Sequence, residues 1–66
     1  MKIMVNGESE NIDEGATVLS LLEAKGVDPK TVIVELDGEI HKCEDFGGIT
    51  LKEDSTVEVL RFVGGG

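Results

Sequence analysis

A single apolar stripe of helical spacing lies among segments that alternate like strands, and that combination leaves few ways to build a core. Val18, Leu21 and Leu22 follow one another at i, i+3 and i+4, which puts them on one side of a helix. Thr17 stands where its hydroxyl can cap the first turn. Gly26 suits the left-handed position that ends a helix. One short helix with one apolar side must lie on something, and the remaining segments offer a sheet, giving two layers around one core.

The strands flank the helix. Ile3 and Val5 alternate with Lys2 and Met4, as in a half-buried strand. Asn6-Gly7 is the strongest short hairpin signal, because both central residues of a type I′ turn need positive φ. A second strand over residues 8–12 is expected to follow, then a loop at Asp13-Glu14-Gly15. After the helix, Asp28-Pro29 starts a turn, and Val32-Ile33-Val34-Glu35-Leu36 reads as a β-branched strand ended by Asp37-Gly38. Residues 40–48 show no sustained period, and a short helical turn is expected at residues 42–45. Ile49-Thr50-Leu51 is expected as a short strand, residues 52–55 as a polar turn and residues 57–63 as the last strand. The first and last strands are both rich in apolar residues. Paired centrally with the helix crossing one face, they would run parallel. The expected class is α+β: a mixed sheet of four to five strands with one main helix packed on one face.

Length and charge narrow the function. A chain of 66 residues makes one domain and buries only about 60% of the surface its unfolded state exposes. It has little room to enclose a pocket of roughly 300–1,000 Å³. This favours a module on which partners act over a self-contained enzyme. No apolar run nears the ~18 residues of a membrane span, and the start lacks a signal-peptide pattern, so no membrane partner and a cytoplasmic location are expected. Fourteen acidic against six basic residues give a net charge of −8. Nucleic-acid binding needs Lys and Arg for phosphate, and with no Trp or Tyr the chain also lacks a stacking platform. The acidic surface serves solubility and can steer the chain toward basic partners. Cys43 has no second cysteine to pair with, and with His41 alone nearby it forms no metal cluster. It reads as a half-buried or solvent-facing thiol, and His41 as a surface or turn residue.

The chain ends in Phe62-Val63-Gly64-Gly65-Gly66. Residues without side chains leave only the backbone and the terminal carboxylate for chemistry. That carboxylate is an anion at neutral pH. A tail without Cβ atoms fits slots too narrow for other residues, and from Val63 to Gly66 it reaches about 13–14 Å when extended. On composition alone the ending fits a frayed terminus or an expression remnant equally well. Residues 1–63 are expected as the domain and Gly64, Gly65 and Gly66 as a flexible tail.

The arrangement resembles the β-grasp, or ubiquitin-like, fold. Across all 66 residues the chain is similar to the ThiS family, the sulfur carriers of thiamine biosynthesis. The likeness rests on the Asn6-Gly7 turn, Gly15-Ala16-Thr17-Val18-Leu19 with Leu21-Leu22, the Val32-Ile33-Val34-Glu35 strand and the terminal diglycine. The resemblance implies the following chemistry. An E1-like adenylyltransferase of ThiF type uses ATP to adenylate the carboxylate of Gly66. Sulfur from a donor such as a cysteine desulfurase displaces AMP, leaving a 1-thioglycine thiocarboxylate. A thiazole synthase of ThiG type then takes the sulfur. The chain itself would be a carrier and co-substrate, not an enzyme, with no intrinsic cofactor, no metal and no catalytic side chain. Carriers for molybdopterin or tRNA thiolation, a ubiquitin-like protein modifier, and an inert interaction module share these features.

Alternation along the last strand puts Val57, Val59 and Arg61 on one side and Glu58, Leu60 and Phe62 on the other. The valines suit the core. By the same rule Ile3, Val5, Val32, Val34 and Leu36 face inward, while Met4 and Ile33 face outward. Met4, Ile33, Leu60 and Phe62 are therefore expected to form an exposed apolar patch that partners bind, beside the tail. A register shifted by one would instead place them in the core.

Overall fold

Asn6 and Gly7 adopt φ of 50° and 83° in the computed structural model, which describes residues 1–62. This geometry matches the twist of the strands it joins, β1 (Lys2–Val5) and β2 (Glu8–Asn11). They pair antiparallel, with Val5 opposite Glu8. The ordered ladder stops at Asn11, one residue short of the expected end. Met1 and Ile12 then close the ribbon, with Ile12 N–H donating to the Met1 carbonyl at 2.8 Å.

The helix α1 (Val18–Ala24) begins and ends as its sequence predicts. Thr17 Oγ1 accepts from the Ser20 N–H at 3.1 Å, and Ser20 Oγ accepts from the Thr17 N–H at 2.9 Å. Two orphan donors of the first turn are thus satisfied reciprocally. At the other end Gly26 takes φ of 71°. Val27 N–H reaches the Leu22 carbonyl at 3.0 Å and Gly26 N–H the Glu23 carbonyl at 3.1 Å, which closes the helix as a Schellman motif. Val18, Leu21 and Leu22 are buried, as their spacing predicts.

A 3₁₀ turn (Pro29–Thr31), capped by the Asp28 carboxylate, leads into β3 (Val32–Leu36). Asp37 and Gly38, at φ of 50° and 91°, repeat the first hairpin's geometry instead of merely ending the strand. They join β3 to β4 (Glu39–His41), which strand periodicity did not predict. The helical turn expected at residues 42–45 is a longer 3₁₀ segment, Cys43–Gly48. It carries Phe46 into the core, where the ring is fully buried. The strand expected at Ile49-Thr50-Leu51 is reduced to one bridge, Thr17 to Thr50. Its partner is the loop that starts α1, through Val18 N–H to the Ile49 carbonyl at 3.0 Å and Leu51 N–H to the Ala16 carbonyl at 2.8 Å.

The last strand, β5 (Thr56–Arg61), takes the centre of the sheet, whose order is β2-β1-β5-β3-β4. It runs parallel to β1 and antiparallel to β3, as expected for the first and last strands. The helix covers one face, and Ile3, Val5, Val32, Val34 and Val57 meet Leu21, Leu22, Phe46 and Leu51 in a single core. This is the expected α+β mixed sheet with one main helix. The domain boundary expected at Val63 and the tail Gly64, Gly65 and Gly66 lie outside the described residues.

Candidate functional site

Everything that could present the C-terminal residues depends on how β5 leaves the sheet, and both hairpin turns hold that strand. The Asn6 side-chain carbonyl accepts from Val59 N–H at 2.9 Å. The Asp37 carboxylate accepts from Thr56 N–H at 2.8 Å. The backbone N–H groups of the same two turn residues donate to β5 carbonyls, Asn6 to Val57 at 2.9 Å and Asp37 to Thr56 at 2.8 Å. Asn6 therefore continues the β1 side of the ladder past the point where β1 ends. On the other side Phe62 N–H donates to the Thr31 carbonyl at 3.0 Å, so β5 stays anchored through its last described residue.

The two faces of β5 differ as alternation predicts. Val57 is fully buried and Val59 half-buried, whereas Leu60 is 43% and Phe62 52% exposed. Ile33 stands directly opposite Leu60 on the same outward face. The structure thus brings three of the four expected patch residues, Ile33, Leu60 and Phe62, to one end of the sheet. Met4 also faces outward and is half-buried, but it pairs with Thr56. Glu58 and a span of about 13 Å, four residues of strand, separate that row from Leu60. Met4 is therefore at the far side of the face rather than within the cluster.

Sequence reasoning missed Ile40. It lies opposite Glu35 in the β3–β4 hairpin, on the outward face, and is 60% exposed. The signal was present in Asp37-Gly38, which as a type I′ turn sets the register of a hairpin and brings Ile40 to this face. Also missed was the pairing of Glu35 with Glu58 across β3 and β5, in the row next to Leu60 and Ile33.

On the helix side, the same end of β5 borders a groove of about 430 Å³. Val5, Val27, Val32 and Val59 contribute its apolar lining, and Glu8, Glu10, Lys25 and Arg61 its charged rim. Lys25 and Glu10 form an ion pair across it. Cys43 is half-buried and packs on the core from the 3₁₀ segment. His41 is half-buried and lies 3.8 Å from the Glu39 carboxylate.

The family model described as the ThiS family matches residues 3–66. The chain belongs to the ThiS family. A crystal structure of the thiamine biosynthesis protein ThiS from Geobacter metallireducens is 40% identical, with a TM-score of 0.85 and full coverage of both chains. A solution structure of a thiamine biosynthesis protein from the same organism is 40% identical over all of this chain and 88% of that one, with a TM-score of 0.77. These likenesses settle the β-grasp topology described above. Two curated relatives carry the name thiazole synthase. The one from Magnetococcus marinus is 39% identical over 66 residues, and the one from Paramagnetospirillum magneticum is 35% identical over the same length. The ThiS family chain is covered completely in both matches but spans only 20% of each thiazole synthase.

Proposed function

We propose that this ThiS family chain is a sulfur carrier for thiazole formation in thiamine biosynthesis, with Gly66 as the residue that carries the sulfur. The observation that supports this reading most is the placement of β5. A central strand, held on both sides as far as Val59 and on the β3 side through Phe62, ends among exposed apolar side chains and is followed in the sequence by Val63-Gly64-Gly65-Gly66. A partner can grip the rigid end by its apolar face while residues without side chains enter a narrow site.

The chemistry follows from the reactivity of a carboxylate. It is a poor electrophile, so a partner must first make it an acyl-adenylate. The Gly66 carboxylate oxygen attacks the α-phosphorus of ATP and pyrophosphate leaves. Hydrosulfide attacking the acyl carbon expels AMP and gives 1-thioglycine at the tail. Where the donor is a persulfide, the same attack expels AMP and gives an acyl disulfide, whose S–S bond a thiol reductant cleaves to leave the thiocarboxylate. The activating partner is an E1-like adenylyltransferase of ThiF type, the sulfur donor is one such as a cysteine desulfurase, and the acceptor is a thiazole synthase of ThiG type. The carrier supplies substrate and recognition surface, and the partners supply the nucleotide site and catalysis. The two thiazole synthases that contain a stretch similar to this chain support the choice of acceptor, because joining carrier and acceptor raises their effective concentration. A cytoplasmic location belongs to the same proposal. No helix among the described residues is long and apolar enough to cross a membrane.

Intact-mass spectrometry tests the proposal. The chain ending at Gly66, incubated with a ThiF-type enzyme, ATP and a sulfur source, should gain the mass of one oxygen replaced by sulfur. Deleting Gly66, or adding residues after it, should abolish the gain while leaving the melting transition in place. Equal loading of an extended tail that has not been trimmed would refute the assignment to Gly66.

A further inference from the structure

The outward face carries a charge arrangement that the fold alone disfavours. Glu35 and Glu58 stand directly opposite each other on neighbouring strands, and like charges in that position destabilise a sheet. Among the described residues Lys25 forms an ion pair with Glu10 and His41 lies beside the Glu39 carboxylate, and neither carboxylate of the opposed pair takes part in such a contact. The pair borders the apolar surface. Leu60 and Ile33 form the next row, and Ile40 lies across from Glu35 on β4. Glu35 is itself half-buried.

We infer that this face docks a basic, apolar protein surface, with an arginine of the partner seated between Glu35 and Glu58 and apolar partner side chains on Leu60, Ile33, Ile40 and Phe62. The inference rests on the reading of the chain as a carrier handed between enzymes. Charge complementarity selects the occupant. Side chains opposed across a sheet have Cβ atoms about 4.5–5.5 Å apart, so the two carboxylates can share one guanidinium, whose fixed fork of donors suits carboxylate oxygens. The net charge of −8 attracts basic surfaces at long range and repels phosphate. Docking would exclude water from the apolar frame and strengthen the charge contact. Repulsion in the free carrier then becomes attraction in the complex.

The test is steady-state loading and sulfur transfer by Glu35→Gln, Glu58→Gln and the double variant, using a ThiF-type enzyme and a thiazole synthase, with a melt of each free variant. Removing the repulsion should raise the melting temperature of the double variant above wild type. Its KM for the carrier should rise roughly 5- to 30-fold with at least one of the two enzymes. The turnover number should stay near wild type, and the salt dependence of KM should flatten. Unchanged KM and salt dependence with both enzymes, when wild type is loaded normally, would overturn the inference and leave the carrier reading intact. Failure of the wild-type chain to be loaded at all would refute the carrier reading and this inference with it. A lower melting temperature for the double variant would show that the pair is satisfied within the fold, and would also overturn it.

Discussion

Phe46 and Phe62 are the two aromatic residues of the chain, and the same truncation should have opposite consequences at each. The Phe46 ring is fully buried in the 3₁₀ segment that packs beside α1. Phe46→Ala removes the largest buried side chain and leaves a cavity, at a cost of about 3–5 kcal/mol. A chain of 66 residues has a total stability of roughly 3–10 kcal/mol, at 0.05–0.15 per residue. The substitution therefore removes about 30% of that stability or more, and in the lower range all of it. The melting temperature should fall by roughly 12 °C or more. Phe62 is 52% exposed. Fully burying such a ring is worth about 1.5–3 kcal/mol, so Phe62→Ala should cost the free domain about 1 kcal/mol. Its effect should fall on binding to the activating enzyme or to thiazole synthase, weakened by about 1–3 kcal/mol as for an aromatic anchor. Denaturant titration of both variants and calorimetric titration of Phe62→Ala against each enzyme decide the matter. A large loss of stability for Phe62→Ala with unchanged affinity would show that its ring serves the fold and not the partner.

Asn6 separates turn chemistry from strand clamping. Asn6→Gly keeps the ease of positive φ but removes the acceptor of Val59 N–H, and denaturant melts should show a loss of about 0.5–1.5 kcal/mol. Asn6→Asp keeps the acceptor and should lose less, so equal losses would mean that the hydrogen bond contributes nothing. Cys43→Ser should remain fully competent in sulfur loading by intact mass, because Cys43 packs on the core and the sulfur is proposed to ride on Gly66. Loss of loading by a folded Cys43→Ser variant would move the thiol into the mechanism.

The features legible in the sequence were those set by local stereochemistry or by a sustained period. Asn6-Gly7 admits the type I′ turn it forms, Thr17 caps α1 through its hydroxyl and Gly26 closes it through its positive φ, and alternation in β1, β3 and β5 sorted both faces of the sheet correctly. The central place of β5 followed from its apolar content. The omissions have physical reasons. β4 has three residues, and its apolar one, Ile40, points to solvent, so burial imposes no alternation on it. Phe46 sits in a 3₁₀ segment where one side chain fills the space and no period is needed. Residues 49–51 pair with a loop and so do not extend into a strand. Within the candidate site, Leu60, Phe62 and Ile33 were legible from alternation alone. The displacement of Met4 was not, because it depends on the register of a parallel pair between distant segments.

That register also explains why a carrier would place its exit on this strand. A tail leaving from an edge strand would rest on one ladder, and the root could fray at little cost. Here β5 is paired on both sides over Thr56 and Val57, with Asn6 extending the β1 side to Val59, and its inward residue Val57 is fully buried. Peeling it away breaks both ladders, the Asn6 and Asp37 clamps and the core together. The body of the strand is therefore as stable as the domain as a whole, and its last residues continue from it on the β3 ladder and the Phe62–Thr31 hydrogen bond. A partner that grips the apolar face beside Phe62 meets a surface ordered before binding, and does not bear the ordering cost of roughly 1–2 kcal/mol per residue that a frayed root would carry. Only the residues beyond it need conform to the partner's site, and three of those are glycines.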